Sequence, residues 1–233
     1  MPQFHGGAYA IGSAADAASL AADVSRRVGA RAVCVDYRLA PQNPFPAAVD
    51  DAVAAYSALL DQGIPGARIA FVGESAGGGL TVATLVALKE AGLPQPSSAA
   101  VFSPWAGLTV SGASATSKAD LDPGLTPLGP AAGTEPLASP VFADLTGLPP
   151  LLIQVGSHEI ALGDAVRLAS RAAADDVHVE LQVWPQVPHV FQSFSVMLDE
   201  ADEALQSAAA FTRDHWAAAQ APAEAAPEAS LRS

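Results

Sequence analysis

Apolar residues along this chain gather into short blocks whose spacing switches between helical and extended periods, and that switching predicts a sheet wound with helices. Ser13, with Asp16 three residues on, resembles a capping box and Gly29 supplies a stop, so residues 13–28 are predicted as a helix. Residues 31–36 read as a strand. Pro46 suits a first helical position, which predicts a helix through Leu60 with Gly63 near its stop. A strand over 67–72 follows, then a helix from Gly78 to Ala91 that is apolar almost all round, as expected of a helix buried beside a sheet. Gly92 and Pro94 end it. Further strands are predicted at 98–102, 151–155 and 177–183, with a helix at 162–174 between the last two and a final helix from about Phe191 to Ala217.

Strands alternating with helices imply crossover units and an α/β fold with a mostly parallel sheet and helices on both faces. Functional residues then belong on loops at the strands' C-terminal ends. Two stretches break the pattern. Residues 103–150 are rich in Pro, Gly, Ser and Thr and predict an irregular, lid-like surface excursion. Residues 217–233 are dominated by Ala, Pro and Glu and predict a disordered tail, leaving 1–216 as one folded domain.

Composition supports a single core: 50% of the 233 residues are hydrophobic and 15% charged. The net charge of −13 disfavours nucleic acid and anionic membrane surfaces as partners. Cys34 is the only cysteine, which excludes an intrachain disulfide; its apolar neighbours predict a buried structural thiol. No uncharged apolar run reaches the length of a membrane span and the first twenty residues lack a leader pattern, so the expected location is the cytoplasm.

Chemistry enters with Gly73-Glu74-Ser75-Ala76-Gly77, which fits G-x-S-x-G and lies between a predicted strand and a predicted helix. An ordinary helix N-cap serine is the competing reading, but an N-cap needs no glycine two residues to either side, whereas a nucleophile elbow does. His5-Gly6-Gly7-Ala8-Tyr9 supplies backbone N–H groups for an oxyanion. A serine nucleophile also needs a base and an acid that orients it, following in the order acid, then histidine. Of five histidines, His5 belongs to the glycine string, His178 to a predicted strand and His215 to the last helix. His189, in a loop just beyond the strand that ends near Trp184, is the best base, and His158 a neighbour of the acid. Glu159, on the preceding strand's C-terminal loop, is the first choice of acid, with Asp164 as the alternative.

In those residues the chain resembles the hormone-sensitive lipase family of α/β-hydrolases, the bacterial family IV esterases. The resemblance rests on His5-Gly6-Gly7-Ala8-Tyr9, Tyr37-Arg38-Leu39-Ala40-Pro41 with Phe45-Pro46-Ala47-Ala48, Gly73-Glu74-Ser75-Ala76-Gly77-Gly78, Ser103-Pro104-Trp105 and Pro188-His189, in family order. It implies an α/β-hydrolase catalytic domain with Ser75 as nucleophile, His189 as base, Glu159 as acid, and Gly6, Gly7 and Ala76 as oxyanion donors. It also implies hydrolysis of short-chain carboxylic esters without metal or organic cofactor.

The family carries cap helices and the first strands of the sheet before the oxyanion glycines, where this chain has four residues. The expectation is therefore a shortened fold without the cap and one sheet edge, an open site, and an oxyanion loop poorly pinned by a short leading strand. An exposed edge also invites a second copy of the chain, so a homodimer is expected. Residues 121–140 look abbreviated, and Gly107 stands where relatives commonly have Asp. Two other readings remain at this level: a shortened hydrolase with little activity, and a ligand-binding relative that does not turn over.

Overall fold

The computed structural model describes residues 1–109 and 133–220. Six strands form one sheet, in chain order β1 (Pro2–Phe4), β2 (Val33–Val35), β3 (Ala70–Glu74), β4 (Ser98–Phe102), β5 (Leu151–Gly156) and β6 (Val179–Trp184). They lie side by side as β2-β1-β3-β4-β5-β6, every neighbouring pair parallel. Among the described residues five α-helices flank them: α1 (Ala14–Val28), α2 (Ala47–Asp61), α3 (Ala76–Glu90), α4 (Leu162–Ala174) and α5 (Asp199–Gln220).

Alternation along the central strands divides the core in two. Phe71, Val101 and Ile153 face α2, α3 and α4, and the largest cluster fills that side with Tyr56, Leu80, Leu85 and Leu168. Val72, Ala100, Phe102 and Leu152 point the other way and meet Leu20 and Val24 of α1 and Leu205 and Phe211 of α5. β3, β4 and β5 are buried along their whole lengths, which is why they read as continuous apolar runs. The predicted α/β class and helices on both faces hold.

β1 overturns the expectation of a loose leading strand. Although it has three residues, it lies inside the sheet, with Gln3 opposite Cys34 on β2 and Val72 on β3, and Phe4 opposite Val35 and Gly73. Its residues are buried, and the Phe4 ring meets the Phe71 ring edge-on at 5.6 Å. Pairing on both sides compensates for shortness.

Helix α1 begins as the capping signal predicts. Ser13 Oγ accepts the Asp16 N–H, and Gly29 closes the helix in the left-handed conformation. α2 and α4 lie within one residue of their expected limits. Other boundaries shift. Residues 66–68 form a single 3-10 turn before β3 starts at Ala70, and β6 starts at Val179, so His178 precedes the strand. The predicted helix from Phe191 to Ala217 is two pieces, a 3-10 turn at Phe191–Phe194 and α5. Asp199, Glu200 and Asp202 in the first turn of α5 favour a helix N-terminus there. α5 continues to Gln220, so residues 217–220 are helical; the rest of the predicted tail lies outside the described residues. Cys34 is half-buried where full burial was expected, and its thiol pKa is raised, first by burial and then by Glu74 and Asp36.

Much of the predicted excursion, 110–132, also lies outside the described residues. Its described ends are tied to the body. Leu108 N–H donates to Ser139 Oγ, Val141 N–H to the Ala106 carbonyl, and Leu145 N–H to Asp175 Oδ2, while the Leu145 side chain is fully buried.

Pairing of β1 on both sides predicts that the Phe4 amide exchanges as slowly as those of β3 and β4. Native-state hydrogen exchange measures this directly, and fraying of β1 at the rate of an exposed loop would contradict the placement.

Candidate active site

The order of the strands reverses at β1: the chain steps from β1 outward to β2 and returns on the other side to β3. In an open parallel sheet such a switch point leaves a crevice at the strands' C-terminal ends, where loops diverge. Five of those loops build the site.

The β3 loop carries Ser75 on the turn into α3, with φ 55° and ψ −121°. A side-chain-bearing residue held there costs about 1–3 kcal/mol, and the surroundings offset it. Ser75 N–H donates to the Phe102 carbonyl at 2.9 Å, and the Ser75 carbonyl accepts from Gly78, Gly79 and Trp105 at 3.0, 3.2 and 2.9 Å. The flanking glycines have steric causes. A Cβ at Gly73 would lie 2.2 Å from the Gly77 carbonyl oxygen, and one at Gly77 would lie 2.1 Å from that of Phe4. The Ser75 side chain makes no helix-capping bond, which disposes of the N-cap reading.

Instead Ser75 Oγ lies 2.9 Å from His189 Nε2, and His189 Nδ1 lies 2.8 Å from Glu159 Oε2. Ionised Glu159 can only accept, so Nδ1 carries the ring proton and Nε2 offers a lone pair to the serine hydroxyl. Glu159 is fully buried on the loop after β5. Its other oxygen, Oε1, accepts from Gly156 N–H at 2.6 Å and from Ser103 Oγ at 2.8 Å. The base loop is held by the same serine, because Val190 N–H donates to Ser103 Oγ at 3.1 Å. Ser103, at the end of β4 with φ 47°, thus ties acid to base. In the sequence Ser103 stands out only within the Ser103-Pro104-Trp105 string; its place at the end of the strand between serine and acid is the signal for this contact.

The other candidates separate cleanly. Asp164 does not reach His189: its Oδ2 accepts the Gly107 N–H at 2.9 Å and its Oδ1 pairs with Arg167, so it anchors the segment after β4. Burial raises its carboxyl pKa, with Arg167 opposing. His158 is exposed and contacts Ser157 Oγ. His178 and His215 stack around Phe211 at the far end of α5.

The β1 loop passes over the elbow. Gly6 lies against Ser75, since a Cβ there would be 3.1 Å from Ser75 Cβ. Its N–H is already engaged, donating to Glu74 Oε1 at 3.0 Å, which corrects the expectation that Gly6 donates to an oxyanion. Gly7 N–H and Ala8 N–H find no acceptor among the described residues, and Ala76 N–H, in the first turn of α3, has no intrahelical partner. Gly7 has φ 114°, and a Cβ there would meet the Ile11 carbonyl oxygen at 2.1 Å. His5 stacks on Tyr37 at 4.2 Å, and Tyr9 is buried near Tyr37 and Trp105. The loop is therefore firmly held.

A parallel sheet with this strand order and a serine, histidine and glutamate hydrogen-bonded at its C-terminal edge define an α/β-hydrolase. The family model described as alpha/beta hydrolase fold matches residues 1–193. The chain belongs to that family, within its hormone-sensitive lipase branch. An acetyl-hydrolase of Streptomyces hygroscopicus is 44% identical over 221 residues, covering 90% of this chain and 73% of that protein. An esterase of Acinetobacter venetianus is 36% identical, covering 89% and 72%. Among solved structures, an esterase/lipase from an uncultured bacterium and an esterase of the bacterial hormone-sensitive lipase family superpose with TM-scores of 0.89 and 0.88, at 44% and 43% identity. Each covers 93% of this chain, and the chain covers 76% of each. Another similar structure is EstE5 soaked with p-nitrophenyl butyrate, with a TM-score of 0.89, 44% identity, and coverage of 93% of this chain and 76% of that one.

Gly156 generates a structural test. A Cβ there would sit 2.6 Å from the Val187 carbonyl oxygen and 2.8 Å from Glu159 Oε1. Gly156→Ala is expected to lower stability by about 1–3 kcal/mol and to abolish the downfield NMR resonance of the His189 Nδ1 proton. Retention of that resonance at unchanged melting temperature would show that the acid does not depend on this contact.

Proposed function

We propose that the chain is a serine carboxylesterase acting on short-chain acyl esters, with Ser75 as nucleophile, His189 as general base and Glu159 as the acid that orients it. The observation that carries this reading is the continuous chain from Ser75 Oγ to His189 to Glu159, at 2.9 and 2.8 Å, on the sheet's C-terminal edge. As Ser75 Oγ attacks the ester carbonyl, His189 Nε2 takes the hydroxyl proton and the ring becomes cationic beside the Glu159 carboxylate. Negative charge then develops on the carbonyl oxygen, where the unengaged N–H groups of Gly7 and Ala76 serve as donors. His189 returns the proton to the departing alcohol, and water, deprotonated by the same ring, hydrolyses the acyl-enzyme.

Ester hydrolysis by relatives supports the reaction class, and the strongly acidic chain suits neutral substrates. Among the described residues no helix is long and apolar enough to cross a membrane. A cytoplasmic location accords with the single cysteine. A homodimer is supported by β6, an edge strand that exposes Leu181 at 37% and Val183 at 46% beside unpaired backbone groups.

Purified protein should hydrolyse p-nitrophenyl butyrate, and Ser75→Ala should lower kcat by about 10⁴-fold or more. Residual activity near the wild-type level in Ser75→Ala would remove this serine from the mechanism.

For the dimer, size-exclusion chromatography with light scattering should give twice the chain mass, and Val183→Lys should give the monomer. A monomeric wild type at tens of micromolar would refute the assembly.

A further inference from the structure

Glu74, the residue between the elbow glycine and Ser75, has no part in the mechanism above, yet its carboxylate is buried beside the nucleophile. Oε1 accepts the Gly6 N–H at 3.0 Å and Oε2 accepts from Gln3 Nε2 at 2.7 Å. It thus joins the strand that carries the serine to the strand and loop that carry the oxyanion glycines. The His5–Gly6 peptide unit is held at both ends, its N–H by Glu74 and its carbonyl by Tyr37 Oη at 2.7 Å. Beyond it, the Gly6 carbonyl lies 2.6 Å from His5 Nδ1, which must donate because the carbonyl can only accept. The His5–Gly6 peptide plane and the Gly6–Gly7 plane that contains the Gly7 N–H are therefore both fixed.

We propose that Glu74 is a positioning residue which, as a carboxylate, clamps Gly6 and so aims the following amides of the oxyanion loop at the reacting carbonyl. The proposal rests on the esterase reading for its kinetic consequence, while the clamp itself is independent of turnover. The titratable groups that interact with Glu74 are Cys34 on β2, Tyr37 beyond β2, and His189 on the base loop. Burial raises the pKa values of Cys34 and Tyr37 and keeps them neutral, so His189 is the one group among them able to lend positive charge. Burial likewise pushes the Glu74 carboxyl up to about 7, opposed by the Gly6 and Gln3 hydrogen bonds and by His189. The folded pKa exceeds the ordinary value of 4.5, so the native state holds this proton more tightly than the unfolded chain. Ionisation therefore weakens the fold as pH rises from that ordinary value toward about 7, while it completes the clamp.

The test uses the full chain and two readouts. In a pH series of ¹H–¹⁵N spectra, the Gly6 amide should titrate with a midpoint near 7, still titrate in His189→Gln with the midpoint moved up, and lose the titration in Glu74→Gln. With p-nitrophenyl butyrate, Glu74→Gln should lower kcat about tenfold at alkaline pH with KM within about twofold. Its acid limb should be shallower than the wild type's, and its melting temperature at pH 8 no lower. Glu74→Asp, shorter by one methylene, should retain the charge and recover only part of kcat. A Gly6 amide indifferent to Glu74→Gln, or unchanged kcat in that variant, would overturn the proposal. If wild type and Ser75→Ala were equally inactive, the esterase reading would fall, and the Gly6 titration would still decide the clamp.

Discussion

The turn at Ser75 is the constraint on which the site depends. A residue with a Cβ held at φ 55° persists only where neighbours over-determine it, and here four backbone hydrogen bonds from β4, the segment after it, and α3 do so. The turn puts the hydroxyl above the sheet's edge, but only because Gly73 and Gly77 let strand, helix and the end of β1 approach to contact. A side chain at Gly73 would drive β3 away from α3, and one at Gly77 would drive the end of β1 away from α3 and with it the loop that covers the serine.

Parallel order distributes the rest. β1, β3, β4, β5 and β6 all end at the same edge, so each contributes one element: the glycine loop, Ser75, Ser103, Glu159 and His189. Adjacent strands put adjacent groups in reach, which explains how Glu159 and His189, 30 residues apart in sequence, make a 2.8 Å contact. The brevity of β1 matters less than its place. Three residues suffice where the strand is paired on both sides and its side chains are buried.

The periodic segments were legible because burial imposes the pattern that sequence reading detects. α1 and α4 show it, with one apolar face each and, in α1, a working cap and a glycine stop. The meeting of Ser75, His189 and Glu159 was legible because order and spacing along an alternating α/β chain nearly determine which loops meet. What failed was information carried by side-chain partnership. Asp164 stood as the alternative to Glu159 in sequence, and only the fold reveals that its oxygens are committed to Gly107 and Arg167. Gly6 looked like a free donor, because nothing in a glycine string announces that a glutamate 68 residues later takes its N–H. The break before α5 was hidden for a similar reason: Phe191 and Gln192 are buried by tertiary contacts, Gln192 bonding to Gln154 at 3.1 Å, and so they mimic a helical face.

Two buried carboxylates flank the serine, and their surroundings assign them different work. Glu159 receives a hydroxyl, a backbone amide and the imidazole, so in the proposed mechanism a positive charge developing on His189 would meet a fully coordinated anion that need not reorganise. Glu74 receives one backbone amide and one carboxamide. A carboxylate so placed is costly to ionise, which makes it a poor partner for a transient cation but a responsive holder of a neutral amide. In the proposed mechanism the chemistry of this edge is thus divided by hydrogen-bond count: the richly coordinated carboxylate would stabilise charge, and the sparsely coordinated one would set the position of the peptide next to it.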